Sequence, residues 1–153
     1  MAISEDGINF ERYEENPIIV PEKKYEKRGC EDPRITEIDG KYYLLYTAHS
    51  GKRTHICLAE SDDLLHWKKR GIIMREVKSG ALLPKKIDGK FVLYFGDVNI
   101  YIAYSRDLKN WKVKEEPILT PRGDNFDLRL VEMGPAPLVT KKGIFIIYNS
   151  SDN

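Results

Sequence analysis

Two adjacent carboxylates between a cysteine and a proline–arginine pair, Gly29-Cys30-Glu31-Asp32-Pro33-Arg34, make up the segment of this sequence best suited to proton transfer. Proline fixes its own φ and biases the preceding residue toward extended backbone, so Asp32 is expected to project from a stiff strand entrance. Repulsion from Glu31 and any burial would raise the Asp32 pKa while Arg34 would lower it, the kind of tuning a general acid uses. The same residues also read as a strand-start turn with a local arginine pair, and both readings stay open on pattern alone. In Lys78-Ser79-Gly80-Ala81-Leu82-Leu83-Pro84-Lys85-Lys86, Lys85 follows a proline as Arg34 does. Two cations at one repeat position would suit an anion in a central channel; the alternative is a solvated lysine face. Asp97 in Phe95-Gly96-Asp97, Glu132 in Leu130-Val131-Glu132-Met133 and Asn149 after Tyr148 complete the candidates. His49, His55 and His66 lack the spacing of metal ligands or a triad and are expected at the surface. No metal is expected, and Cys30 and Cys57 are expected to be buried thiols.

These candidates punctuate an internal repeat. Ser4-Glu5-Asp6, Ser61-Asp62-Asp63 and Ser105-Arg106-Asp107 are each followed four residues later by an aromatic residue, Phe10, Trp67 and Trp111. The spacing of the serines matches one blade of a β-propeller, about 40 to 50 residues. Upstream of the second and third copies lie Asp39-Gly40 and Asp88-Gly89, each between runs of β-branched and aromatic residues, which is the strongest short-range signal for a hairpin with a type I′ turn. A third hairpin covers Pro137 to Tyr148. A catalytic reading of Ser-x-Asp yields to a structural one, because a catalytic group is needed once per site and a turn once per blade; Ser and Asp should bond nearby backbone while the aromatic packs inward. The expected fold is all-β, an incomplete β-propeller in one domain. Residues 1–29 end one blade, 30–76 and 77–118 form two complete blades, and 119–153 begin another.

Composition narrows the function classes. The chain has 153 residues, and its 25 Lys+Arg nearly cancel 24 Asp+Glu to a net charge of +1, so no long-range field favours nucleic acid or an anionic membrane. The polar N-terminal residues and the absence of a long apolar run point to a soluble, cytoplasmic protein. An open propeller arc leaves inter-blade faces exposed, so self-association or a companion chain is expected to cover them.

The order and spacing of Gly29-Cys30-Glu31-Asp32-Pro33-Arg34, Ser79 through Lys90, Phe95-Gly96-Asp97 and Met133-Gly134-Pro135-Ala136-Pro137 through Tyr148 resemble glycoside hydrolase family 130, the β-mannoside phosphorylases and related mannosidases. The resemblance implies a five-bladed propeller in which this chain starts late in blade one and stops inside blade four. It implies a β-mannoside oligosaccharide as substrate, no organic cofactor, and inorganic phosphate as a possible co-substrate. It casts Asp32 as the general acid, delivering its proton through a sugar hydroxyl while the nucleophile attacks from the opposite face with inversion. It places Arg34, Lys85, Asp97 and Asn149 in substrate or phosphate binding. The chain also departs from the phosphorylase pattern. Lysine stands at 85 where several phosphorylases carry arginine, asparagine at 149 where they carry histidine, and the Leu130-Val131-Glu132 segment lacks their lysine. Glu132 is unfavourable beside phosphate and suited to activating water, so phosphorolysis and hydrolysis both remain open. The alternatives are a noncatalytic propeller fragment serving as a sugar-binding or assembly module, and an arabinanase-like or fructosidase-like glycosidase. The last ranks lower because such enzymes lack the Glu-Asp-Pro-Arg plus Gly-Pro-x-Pro combination.

Overall fold

In the computed structural model, which describes residues 1–151, the chain is built from short antiparallel strands and one 3-10 turn, with no α-helix among the described residues. β1 (Ala2–Ile3) pairs with β2 (Glu11–Arg12), and a 3-10 turn at Lys24–Glu26 leads into the first full sheet. That sheet comprises β3 (Gly29–Ile38), β4 (Lys41–His49), β5 (Thr54–Ser61) and β6 (Lys68–Arg75) in sequential order. The second repeats the meander with β7 (Ala81–Leu82), β8 (Phe91–Phe95), β9 (Tyr101–Ser105) and β10 (Lys112–Val113). β11 (Leu130–Met133) then pairs with β14 (Tyr148–Ser151), and β12 (Leu138–Thr140) with β13 (Gly143–Phe145), giving one interrupted hairpin. The architecture is an arc of β-propeller blades.

Local chemistry explains the blades. Asp39-Gly40 and Asp88-Gly89 have positive φ at both positions (54° and 74°, 50° and 70°), the requirement of a type I′ turn. In the Ser-x-Asp turns, the Asp6, Asp63 and Asp107 carboxylates each accept two backbone N–H groups and a serine hydroxyl. These bonds hold all three carboxyls well below the usual range, so the serines and aspartates are consumed by structure. Trp67 and Trp111 pack against core clusters, but Phe10 is 63% exposed, because the short β1–β2 hairpin offers it no sheet to cover.

Alternation of side chains puts the core between blades. Tyr43, Leu45, Ile56 and Leu58 of the first sheet meet Leu82, Phe91, Leu93 and Phe95 of the second. On the other face of β8, Val92 and Tyr94 pack with Val131 and Met133 of the third unit. The outer face of the first sheet, Leu44 and Tyr46, is covered by Ile19 and Tyr25. Fully buried Glu26 pins that cover, accepting from Tyr46 Oη (2.7 Å), Lys69 Nζ (3.0 Å) and the Glu22 and Lys23 amides. Cys30 is half-buried, Cys57 is buried and its thiol pushed up to about 12 by burial, and both are free. Among the three histidines, His55 contradicts the surface expectation: it is buried beneath the β5–β6 edge, with Nδ1 accepting the Glu76 amide at 3.0 Å.

Candidate active site

Asp32 sits where the β3–β4 ladder breaks. Glu31 pairs with Thr47 and Arg34 with Leu45, so Asp32 and Pro33 together face the single residue Tyr46, forming a bulge. Pro33 lacks an N–H, so one of the two bulged residues has no ladder donor to lose. Asp32 has φ of 51°, in the left-handed region and not the extended backbone expected before proline; its short polar side chain tolerates that conformation. Its residue is exposed.

The second blade breaks at the matching place. Ser79, at φ 57° and fully buried, precedes Gly80, where a Cβ would lie 2.9 Å from Ile56. Hairpin register makes Ala81, opposite Tyr94, the counterpart of Arg34 opposite Leu45. This corrects the expected equivalence of Lys85 and Arg34. The second blade carries two extra residues between Leu82 and Ile87, so Pro84-Lys85 only imitates Pro33-Arg34, and Lys85 is exposed near the Asp88-Gly89 turn.

The cation that does join the cluster is Lys78, which sequence reasoning passed over in favour of Lys85. Its ammonium lies 3.4 Å from Glu132 Oε1 and 3.6 Å from Asp97 Oδ2. Partial burial draws its pKa down, but Glu132 and Asp97, with a further contribution from Asp32, outweigh that and hold it above the ordinary lysine value. Ser79 donates its hydroxyl to the same Glu132 Oε1. Both bonds to the Glu132 carboxylate therefore end on one oxygen.

Gly96 organises this junction. Its amide donates to the Lys78 carbonyl (3.1 Å) and its carbonyl accepts from Met133 (3.3 Å), tying together the segments that carry Lys78, Asp97 and Glu132. At φ 126° a Cβ there would stand 2.0 Å from the Asn99 carbonyl oxygen, so only glycine fits. Arg34 reaches the same junction from the first blade. Its Nη2 donates to the Met133 carbonyl at 2.6 Å, its Nε to the Gly134 carbonyl, and its Nη1 to the Asp32 carbonyl at 3.1 Å. Burial pulls the guanidinium below its ordinary pKa, against the opposing influence of the Asp32 and Glu132 carboxylates. Asn149 is the direct cross-strand partner of Glu132, so the two side chains share a face of that hairpin.

Of the residues singled out by sequence, Asp32, Arg34, Asp97 and Glu132 are thus gathered from three blades, Asn149 adjoins them, and Lys85 stands apart. No group of three or more His, Cys, Asp or Glu side chains able to hold a metal occurs among the described residues. No helix among them is long and apolar enough to cross a membrane.

The family model for glycoside hydrolase family 130, described as beta-1,4-mannooligosaccharide phosphorylase, matches residues 1–153. A 1,2-beta-oligomannan phosphorylase of Thermoanaerobacter sp. (strain X514) is 42% identical over 99% of this chain and 52% of its own length. A beta-1,2-mannobiose phosphorylase of the same organism is 43% identical over 99% of this chain and 51% of its own. The chain thus spans about half the length of the curated relatives it matches. Among solved structures, one reported for family members that are glycoside hydrolases targeting beta-1,2 mannosidic linkages in Candida mannan superposes with a TM-score of 0.90, at 34% identity, over 97% of this chain and 50% of that one. The Listeria innocua beta-1,2-mannobiose phosphorylase in complex with beta-1,2-mannobiose superposes with a TM-score of 0.88, at 29% identity, over 98% of this chain and 44% of that one.

Proposed function

Because this chain belongs to glycoside hydrolase family 130, we propose that its protein cleaves β-mannosidic bonds with inversion, Asp32 acting as general acid and water as the acceptor. The observation that carries the choice of acceptor is the state of the cations. Lys78 is shared between two carboxylates and Arg34 is spent on three carbonyls, so neither presents a free charge to a phosphate dianion. With Asp32 holding the proton a general acid must carry, the Asp97 and Glu132 carboxylates already balance these two cations, so the cluster offers no net positive charge to an anion. Water, in contrast, needs a general base on the face opposite the acid. Glu132 suits that role: Ser79 and Lys78 anchor Oε1, and Oε2 stays available to take a proton. Asn149, beside Glu132, would contact sugar hydroxyls and not phosphate.

A second reading, phosphorolysis, is favoured by the two Thermoanaerobacter phosphorylases that are 42% and 43% identical. On either reading the substrate is a β-mannoside oligosaccharide. The exposed apolar residues Leu138, Phe145 and Ile147 on the third unit would be covered by further propeller structure, through self-association or a companion chain. The test is incubation of the purified protein with β-1,2- and β-1,4-mannobiose, with and without inorganic phosphate. Mannose released at a rate independent of phosphate supports hydrolysis; mannose 1-phosphate as the product supports the second reading. Sugar binding without turnover would leave a noncatalytic module.

A further inference from the structure

Arg34 was expected to bind substrate or phosphate, yet its guanidinium is committed elsewhere. We propose that Arg34 is a positioning residue, a fork that fixes the backbone carrying the acid Asp32 against the backbone carrying the base Glu132. The inference rests on the hydrolytic reading for the roles of those two carboxylates, but the tie itself is geometric.

Both strands are broken at the points Arg34 joins. In the first blade, the bulge at Asp32-Pro33 removes the Asp32 carbonyl from the β3–β4 ladder. In the third unit, regular pairing stops after Met133↔Tyr148 and resumes at Leu138↔Phe145. A Cβ on Gly134 would stand 2.6 Å from the Ile147 carbonyl oxygen, so the chains cross closely there. The Met133 and Gly134 carbonyls near this crossing accept from Arg34, 99 and 100 residues away in sequence. Partly buried carbonyls outside a ladder require a donor. A planar guanidinium meets the demand of two adjacent carbonyls and the Asp32 carbonyl at once, because its N–H groups diverge in one rigid plane. Glu132 directly precedes Met133, so fixing the Met133 carbonyl fixes the base, while Nη1 fixes the acid. Lysine at this position would keep the charge and lose the fork.

The experiment compares Arg34→Lys with the parent protein in three readouts. Hydrogen exchange should quicken by about tenfold or more for amides within 130–134 and 148–151, with β4 and β5 unchanged. On the mannoside substrate, kcat corrected for folded fraction should fall about 100-fold with KM within about threefold, as expected when reacting groups are misplaced by about 1 Å. The pH profile of kcat should also change shape, since proton transfer by a displaced acid and base no longer limits turnover in the same way; a merely destabilising change would leave it in place. Unchanged exchange at 130–134 overturns the tie, whether or not the parent turns over mannosides. Unchanged kcat, or a tenfold rise in KM with kcat preserved, would also overturn it, the latter by placing Arg34 on the ligand. A parent protein inactive on mannosides refutes the functional reading alone, because the exchange comparison still decides the tie. Should Arg34→Lys fail to fold, Arg34→Gln is read in the same way; loss of the fold in both would refute a role confined to positioning.

Discussion

Converting the acceptor from water to phosphate should take only charge removal around Lys78. Glu132→Gln removes one of the two carboxylates on its ammonium, and Asp97→Asn the other, taking the cluster, with Asp32 protonated as the acid, from neutral to one and then two excess positive charges. Two unit charges about 4 Å apart interact by about 1 kcal/mol in water and about 4 kcal/mol at an effective dielectric of about 20. The side chains of Glu132 and Asp97 are 22% and 47% exposed, so solvent screening places each near the low end, about 1 to 2 kcal/mol. That corresponds to about tenfold in phosphate affinity per carboxylate, and at most about 100-fold for the pair, because neighbouring substitutions do not add fully. Losing the base should meanwhile slow hydrolysis by about 100-fold or more. The assay is chromatographic separation of mannose from mannose 1-phosphate across a phosphate series for the parent, Glu132→Gln and the double variant. The expected outcome is falling mannose and phosphate-dependent mannose 1-phosphate appearing in the double variant. Phosphate-independent mannose release by Glu132→Gln within about threefold of the parent would refute the role of Glu132. Saturable use of phosphate by the parent would refute the charge argument itself.

Asp32→Asn should lower turnover by about 100-fold or more while leaving the melting temperature nearly unchanged, since the residue is exposed; full turnover would remove the proposed acid. Lys69→Met should destabilise the fold by about 3 kcal/mol in urea titrations, because it strips the ammonium from fully buried Glu26. Burial raises the Glu26 pKa, but bonds from the Glu22 and Lys23 amides, Tyr46 and Lys69 outweigh it, so the folded value lies below the ordinary one. Its stabilisation is therefore present above the unfolded-state pKa and lost as pH falls through the folded one; in Lys69→Met that loss should begin at higher pH. Gly96→Ala should lower the melting temperature and abolish activity together, the strain at φ 126° and the clash with Asn99 costing about 2 kcal/mol or more; a variant that keeps both properties would contradict the role given to Gly96.

The features legible in the sequence were those written in a few consecutive residues. Asp39-Gly40 and Asp88-Gly89 announce their turns because both positions need positive φ, and Ser-x-Asp announces its turn because its bonds close within three residues. Asp32 stood out because proline and two charges flank it. Lys78 and Ser79 did not, since nothing local shows that Glu132, more than fifty positions on, will come to them. Register was the other hidden quantity. Two extra residues before the Asp88-Gly89 turn shift Lys85 away from the place Arg34 holds, a displacement that the shared proline–cation dipeptide conceals. Arg34 was singled out as a ligand for substrate or phosphate, but its partners in the structure are carbonyls, which have no side-chain signature in a sequence.

The contrast in sequence separation between turns and site has a kinetic side. The Ser-x-Asp turns close over two or three residues, whereas Ser79–Glu132 spans 53 and the Arg34 fork 99 and 100. Closing entropy grows with loop length, so each meander can form on its own account well before the junction does. A partly folded molecule would then carry intact blades and no reactive centre, and recovery of activity after dilution from denaturant would trail recovery of β-structure. The proposed acid and base, carried on separate blades, would then meet only at the last docking step and stay apart in partly folded molecules.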